Sequence, residues 1–135
     1  MGDMDDSQTT AGEGQPLRLP RSPRGAATAR AFVEDLLGDR GLAPAVIQRA
    51  VLVTSELVTN AYKYGEGMIE LRIGLSGDCV RVEVIDEGHR QVPAVREQPA
   101  DETGGWGLQI VDRIARQWGV FEGTTHVWAE LALDS

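Results

Sequence analysis

The chain has 135 residues, of which 41% are apolar and 25% charged, a composition that suits one globular domain with a hydrophobic core and is too short for two. No run approaches the roughly 18 to 20 apolar residues of a membrane-spanning helix, which argues against a transmembrane protein. The formal charge of −8 repels phosphate backbones and argues against direct nucleic-acid binding, unless a local basic groove overrides the mean.

Residues 1–20 carry Asp3, Asp5, Asp6 and Glu13 among Gly, Thr, Gln and Pro, and offer almost nothing to bury. They are expected to form a disordered acidic tail, with a short strand at Leu17-Arg18-Leu19, ahead of a folded domain over 21–135. No basic region followed by an apolar run opens the chain. Asp6 stands where a myristoylation signal asks for Ser or Thr. Cys79 is the only cysteine, so no intrachain disulfide or multi-cysteine zinc site is available, and a cytoplasmic location is expected.

Ser22-Pro23 reads as a helix cap followed by proline at the first helical position, and Ala29, Phe32, Val33, Leu36 and Leu37 continue at helical spacing to Gly38, the expected stop. Pro44 opens a longer helix, in which Val46, Ala50, Val53, Leu57 and Ala61 recur every three or four residues up to Gly65. The period then changes to two. Ile69, Leu71, Ile73 and Leu75, then Val80, Val82 and Val84 after Ser76-Gly77-Asp78, predict a hairpin with one buried face. Residues 86–107 lack periodicity and predict a long loop, of the kind that is usually functional or disordered. Leu108, Val111, Ile114, Ala115 and Trp118 restore a helical stripe that is expected to end at Gly119, before strands at 120–122 and 127–133. Two helices, a hairpin, a loop, a helix and two strands predict a two-layer α/β sandwich: a mixed, mostly antiparallel sheet with helices on one face.

Three groups of residues could carry chemistry. Glu56, Asn60 and Lys63, at i, i+4 and i+7, share one stripe of the second helix, either as an ordinary solvated face or as a pocket wall beside the apolar stripe. Asp86 ends an apolar strand ahead of Glu87-Gly88. It reads as a turn, or as a carboxylate at a pocket floor that accepts a hydrogen bond from an amine, with Gly88 letting a ligand ring approach the backbone. Gly104-Gly105-Trp106-Gly107-Leu108 leads into a helix, as a flexible loop end or as a seat for an anion at the positive end of the helix dipole. It is neither a P-loop nor a dinucleotide fingerprint. No nucleophile elbow, His-Glu-x-x-His or paired cysteines appear.

The conjunction and order of these parts resemble the GHKL, or Bergerat-fold, ATPases over roughly residues 22–133. Glu56 to Tyr64 (ELVTNAYKY) is similar to the N-box, Asp86-Glu87-Gly88 to the first glycine box, and Gly104 to Leu108 to the second, with an ATP lid between. Leu52 to Asn60 (LVTSELVTN) and Val127 to Leu131 (VWAEL) look like the small anti-sigma-factor serine/threonine kinases. A sensor histidine kinase is disfavoured, since the only histidines, His89 and His126, fall in the loop and the last strand.

The resemblance implies that Asn60 ligates Mg²⁺, which bridges the ATP phosphates, and that Asp86 and Gly88 seat the adenine. It also implies that Gly104, Gly105, Gly107 and Leu108 cradle the phosphates with help from Lys63, and that Glu56 is the general base. The implied activity is that of an anti-sigma-factor-type protein kinase that phosphorylates an anti-anti-sigma (STAS-type) partner and sequesters a sigma factor. The alternative is a non-catalytic nucleotide-binding module acting by protein contacts. Family analogy favours a homodimer, although no apolar pattern marks a dimer face. Arg90 stands where many relatives have a second glycine, Arg90 and Arg96 are candidate phosphate contacts, and Trp106 reads as a packing plug or a reporter of lid movement.

Overall fold

In a computed structural model, residues 16–89, 107–120 and 126–133 are described. In chain order they form β1 (Leu17–Leu19), α1 (Arg24–Asp39), α2 (Pro44–Tyr64), β2 (Gly65–Glu66), β3 (Ile69–Ser76), β4 (Cys79–Ile85), β5 (Gly88–His89), α3 (Gly107–Ile114), β6 (Gln117–Val120) and β7 (His126–Ala132). Five strands make one sheet in the order β1-β3-β4-β7-β6, and every pairing in it is antiparallel. The two-layer α/β sandwich predicted from the element order is the fold observed, with its helices on one face of the sheet.

The alternation in the strands sets which face is buried. Leu19, Ile69, Leu71, Ile73, Val80, Val82, Val84, Val127, Ala129 and Leu131 point to one side and are almost fully buried. The helical stripes close over them: Ala29, Val33 and Leu37 from α1, Val46, Ala50, Val53, Leu57, Val58 and Ala61 from α2, and Leu108 and Val111 from α3. These residues form one continuous core from β1 to β7, and removing each large side chain from water contributes roughly 1.5 to 3 kcal/mol. The opposite face is polar. There Arg81 bridges Glu83 (2.5 Å) and Glu130 (2.8 Å), with its guanidinium 4.5 Å from the Trp128 ring centroid, and His126 meets Glu83 at 3.1 Å.

Several expectations are corrected. The strand foreseen at Leu17–Leu19 is present and pairs with β3, but α1 begins at Arg24 with Pro23 as its cap residue, one position later than expected. Ser22 still contributes, because its Oγ accepts the Arg24 N–H at 3.2 Å. Gly38 does not stop α1. The helix runs to Asp39, and Gly41, with φ of 75°, supplies the left-handed turn: Leu42 N–H donates to Leu37 O at 3.2 Å and Gly41 N–H to Gly38 O at 3.0 Å. The third helix ends at Ile114 rather than continuing to Trp118 and Gly119. Arg116 N–H donates to Glu130 O at 2.7 Å and draws the chain into β6, where Trp118 faces Ala129 and Gly119 faces Trp128. Gly119 fits there because a Cβ would sit 2.9 Å from the Trp128 ring.

The long loop also opens with structure. β5 pairs antiparallel with β2, Gly65 opposite His89 and Glu66 opposite Gly88, a two-residue ribbon outside the main sheet. Residues 90–106, which hold Arg90, Arg96, Gly104, Gly105 and Trp106, lie outside the described residues, as do residues 1–15 and 121–125.

Candidate functional site

The site is built at the C-terminal end of α2. Pro44 starts this helix where its missing N–H costs no hydrogen bond, and 21 helical residues carry it across the sheet to Gly65. Its apolar stripe faces the core, which leaves Glu56, Asn60 and Lys63 along the boundary, each partly buried. They form one edge of the helix, as their spacing predicts. The surroundings of Glu56 raise its carboxyl pKa from the ordinary value: burial disfavours the charged form, and nearby Lys63 offsets only part of this.

Asp86 follows the last residue of β4 and is 5% exposed. It is the one ionisable residue in the buried class apart from Cys79 among the described residues, and burying a carboxylate is costly unless its oxygens are engaged. Its Oδ1 accepts the Gly88 N–H at 2.8 Å, which folds the Asp-x-Gly segment into a tight turn. The carboxylate also rests on the end of α2. A Cβ on Gly65 would lie 2.5 Å from Asp86 Cγ and 2.8 Å from Ala61 O, so no larger residue fits between helix and carboxylate.

The connection from α2 to β3 is shaped by the same segment. Gly67 has φ of 74°, and a Cβ there would meet the Glu87 side chain at 2.7 Å or closer, while the Glu87 N–H donates to Glu66 O at 2.8 Å. Through the β2–β5 ribbon, Asp86 is fixed beside Gly65, at the end of the helix that carries Asn60. Glu56, Asn60, Lys63, Asp86 and Gly88 are therefore held on α2 and on the segment braced against its end. Gly107 and Leu108 begin α3, which packs on α2. The Leu108 side chain is in the core, so what this turn offers a ligand is backbone N–H. Gly104 and Gly105 lie outside the described residues.

Sequence reasoning missed Gly67 and Arg21, and read Gly65 only as the end of a helix. The glycines are needed because of a segment about twenty residues away, which a local pattern does not reveal. Arg21 acts on backbone carbonyls, which carry no sequence signature.

The model of the histidine kinase-like ATPase domain matches residues 19–130. The chain belongs to the histidine kinase-like ATPase domain family. The ATPase domain is also similar to a solved structure of the RsbU and RsbW domains of Rv1364c from Mycobacterium tuberculosis, with a TM-score of 0.61 and 24% identity. That match covers 87% of this chain and 31% of the other, so the ATPase domain spans about a third of that protein's solved length, and at this identity the likeness is one of fold. None of the curated proteins matches the chain.

The donor chemistry fits the ion that the family implies. Among the described residues no group of three or more His, Cys, Asp or Glu is assembled, so they offer no all-protein cage. Asn60 instead presents a hard amide oxygen on a partly exposed edge, which suits a magnesium ion that takes most of its ligands from phosphates and water. Among the described residues, no helix is long and apolar enough to cross a membrane.

Proposed function

We propose that this ATPase domain is a Mg-ATP-dependent protein serine/threonine kinase of the anti-sigma-factor type, which transfers phosphate to an anti-anti-sigma partner and holds a sigma factor by protein contact. The observation that carries the reading is Glu56: a partly buried carboxylate with raised proton affinity, one helical turn from Asn60, on the helix braced against Asp86. Likeness of fold to a solved RsbW domain supports the same branch.

Each residue then has a defined task. Asp86 accepts a hydrogen bond from the adenine amino group, and the glycine-rich start of α3 offers N–H groups to the phosphates. Asn60 would hold the metal, with Lys63 adding positive charge. Bound with the nucleotide, Mg²⁺ would neutralise phosphate charge. Glu56 accepts the proton of a docked serine or threonine hydroxyl while that oxygen bonds to the γ-phosphorus and the β–γ bridging bond breaks, leaving ADP.

Label transfer from Mg-ATP to STAS-type anti-anti-sigma proteins of the source organism tests the kinase reading. Glu56→Ala is expected to keep nucleotide affinity within about threefold and lose transfer by roughly 10² to 10⁴, the usual contribution of a positioned base. Transfer at the wild-type rate by that variant would remove Glu56 from the chemistry. Absence of transfer by the wild-type protein would leave a non-catalytic nucleotide-binding module.

The pH profile is a separate check. The reactive form of Glu56 is its carboxylate, and burial raises its proton affinity, so activity is lost on acidification at a higher pH than for an ordinary carboxylate. Lys63→Met removes the charge that opposes this shift and moves the acid limb further up. A limb that stays in place, or moves down, contradicts the assignment.

A further inference from the structure

Arg21 lies between β1 and α1, outside every motif, yet reaches the end of α2. Its Nη2 donates to Tyr62 O at 2.7 Å and to Gly65 O, and its guanidinium carbon lies 5.8 Å from the Tyr62 ring centroid. The last carbonyls of a helix have no donor within the helix, and they carry the negative end of its dipole. A guanidinium there satisfies two acceptors at once and places positive charge where the dipole favours it.

What Arg21 grips is what the site depends on. Gly65, whose carbonyl it holds, is the residue against which the Asp86 carboxylate rests. The next residue, Glu66, accepts the Glu87 N–H and pairs with Gly88. A continuous set of contacts therefore runs from Arg21 through Gly65 and Glu66 to the Asp86-Glu87-Gly88 turn. We propose that Arg21 is a positioning residue for adenine recognition: by clamping the end of α2 it sets the orientation of Asp86 without touching the nucleotide. This rests on the reading of Asp86 as the adenine contact.

Two measurements on the full chain separate the clamp from that reading. The first is amide hydrogen exchange without nucleotide, in the wild type, Arg21→Gln and Arg21→Lys. Exchange at Glu87 and Gly88, whose N–H groups donate to Glu66 O and Asp86 Oδ1, is expected to rise about tenfold in Arg21→Gln, in keeping with the loss of hydrogen bonds from a charged donor. Core amides at Val82 and Val84 should hold, and Arg21→Lys, which keeps the charge, should recover most of the protection.

The second is the ratio of GTP to ATP dissociation constants by competition against a fluorescent nucleotide. Arg21→Gln should shrink this ratio by about five- to tenfold, because a displaced Asp86 no longer favours the adenine amino group, with Arg21→Lys in between. A loss of folded protein alone would weaken both nucleotides equally and leave the ratio unchanged. If the wild type binds ATP and Arg21→Gln changes neither exchange at 87–88 nor the ratio, the clamp is overturned. If exchange rises but the wild type binds no ATP, the clamp stands and its role in adenine recognition is overturned together with the nucleotide reading.

Discussion

Asp86→Asn is expected to lower ATP affinity about 100-fold, roughly 2.8 kcal/mol, while the domain remains folded. The amide keeps the shape of the carboxylate, and one oxygen still accepts the Gly88 N–H. With Asp86 as the proposed adenine contact, its other arm would donate where the adenine amino group also donates. Two opposed donors in a buried site lose the hydrogen bond and leave a polar group without its match, which costs more than deleting the contact. The same change suits the guanine carbonyl better, so the preference for ATP over GTP should narrow. Competition titration against a fluorescent nucleotide, with circular dichroism as the check on folding, measures both effects. ATP affinity within threefold of wild type would remove Asp86 from adenine recognition.

Gly65→Ala is expected to destabilise the domain by about 2 kcal/mol, lowering the midpoint of thermal unfolding by roughly 6 to 10 °C. The added Cβ would lie 2.5 Å from Asp86 Cγ and 2.8 Å from Ala61 O, closer than packed atoms approach. Neither neighbour yields easily: one is helix backbone, the other a buried side chain that accepts the Gly88 N–H. Either α2 parts from the β2–β5 ribbon or Asp86 rotates, and both disturb the site. Removing the carboxylate makes room. The double variant Gly65→Ala with Asp86→Ala should therefore recover about 1 to 2 kcal/mol relative to the sum of the single changes, as calorimetry or urea unfolding would show. Additive effects would mean that the contact does not limit packing there.

How much of this was legible in the sequence depends on how local each cause is. The edge of α2 bearing Glu56, Asn60 and Lys63 was readable because one helix fixes their relation, and Pro44 and Gly65 marked both ends. The β3–β4 hairpin was readable because alternation survives over seven or eight residues. The end of α3 was not. Leu108, Val111, Ile114, Ala115 and Trp118 fit a helix, while Trp118 and Val120 fit the inner face of a strand equally well. The choice is made by Ala129 and Val127 on β7, which pair with them. Likewise Gly38 and Gly41 are both plausible stops, and only the chain path after Asp39 selects Gly41 as the left-handed residue.

The candidate site follows the same rule. Asp86 was marked by its place after an apolar strand, but its bracing by Gly65 and the two-residue β2–β5 ribbon was not, since two paired residues leave no period to detect. The clamp from Arg21 joins a side chain to carbonyls more than forty positions along, and any residue can supply a carbonyl.

On the proposed reading, α2 and the braced Asp86 form a site for a magnesium nucleotide. Calorimetric titration of the purified domain with ATP, with and without Mg²⁺, beside Asn60→Ala, tests it most directly. Binding that requires Mg²⁺ and weakens at least about 100-fold in the folded Asn60→Ala protein is the predicted result. A folded wild-type domain that gives no heat with Mg-ATP, or an Asn60→Ala variant that binds it equally well, would contradict the account.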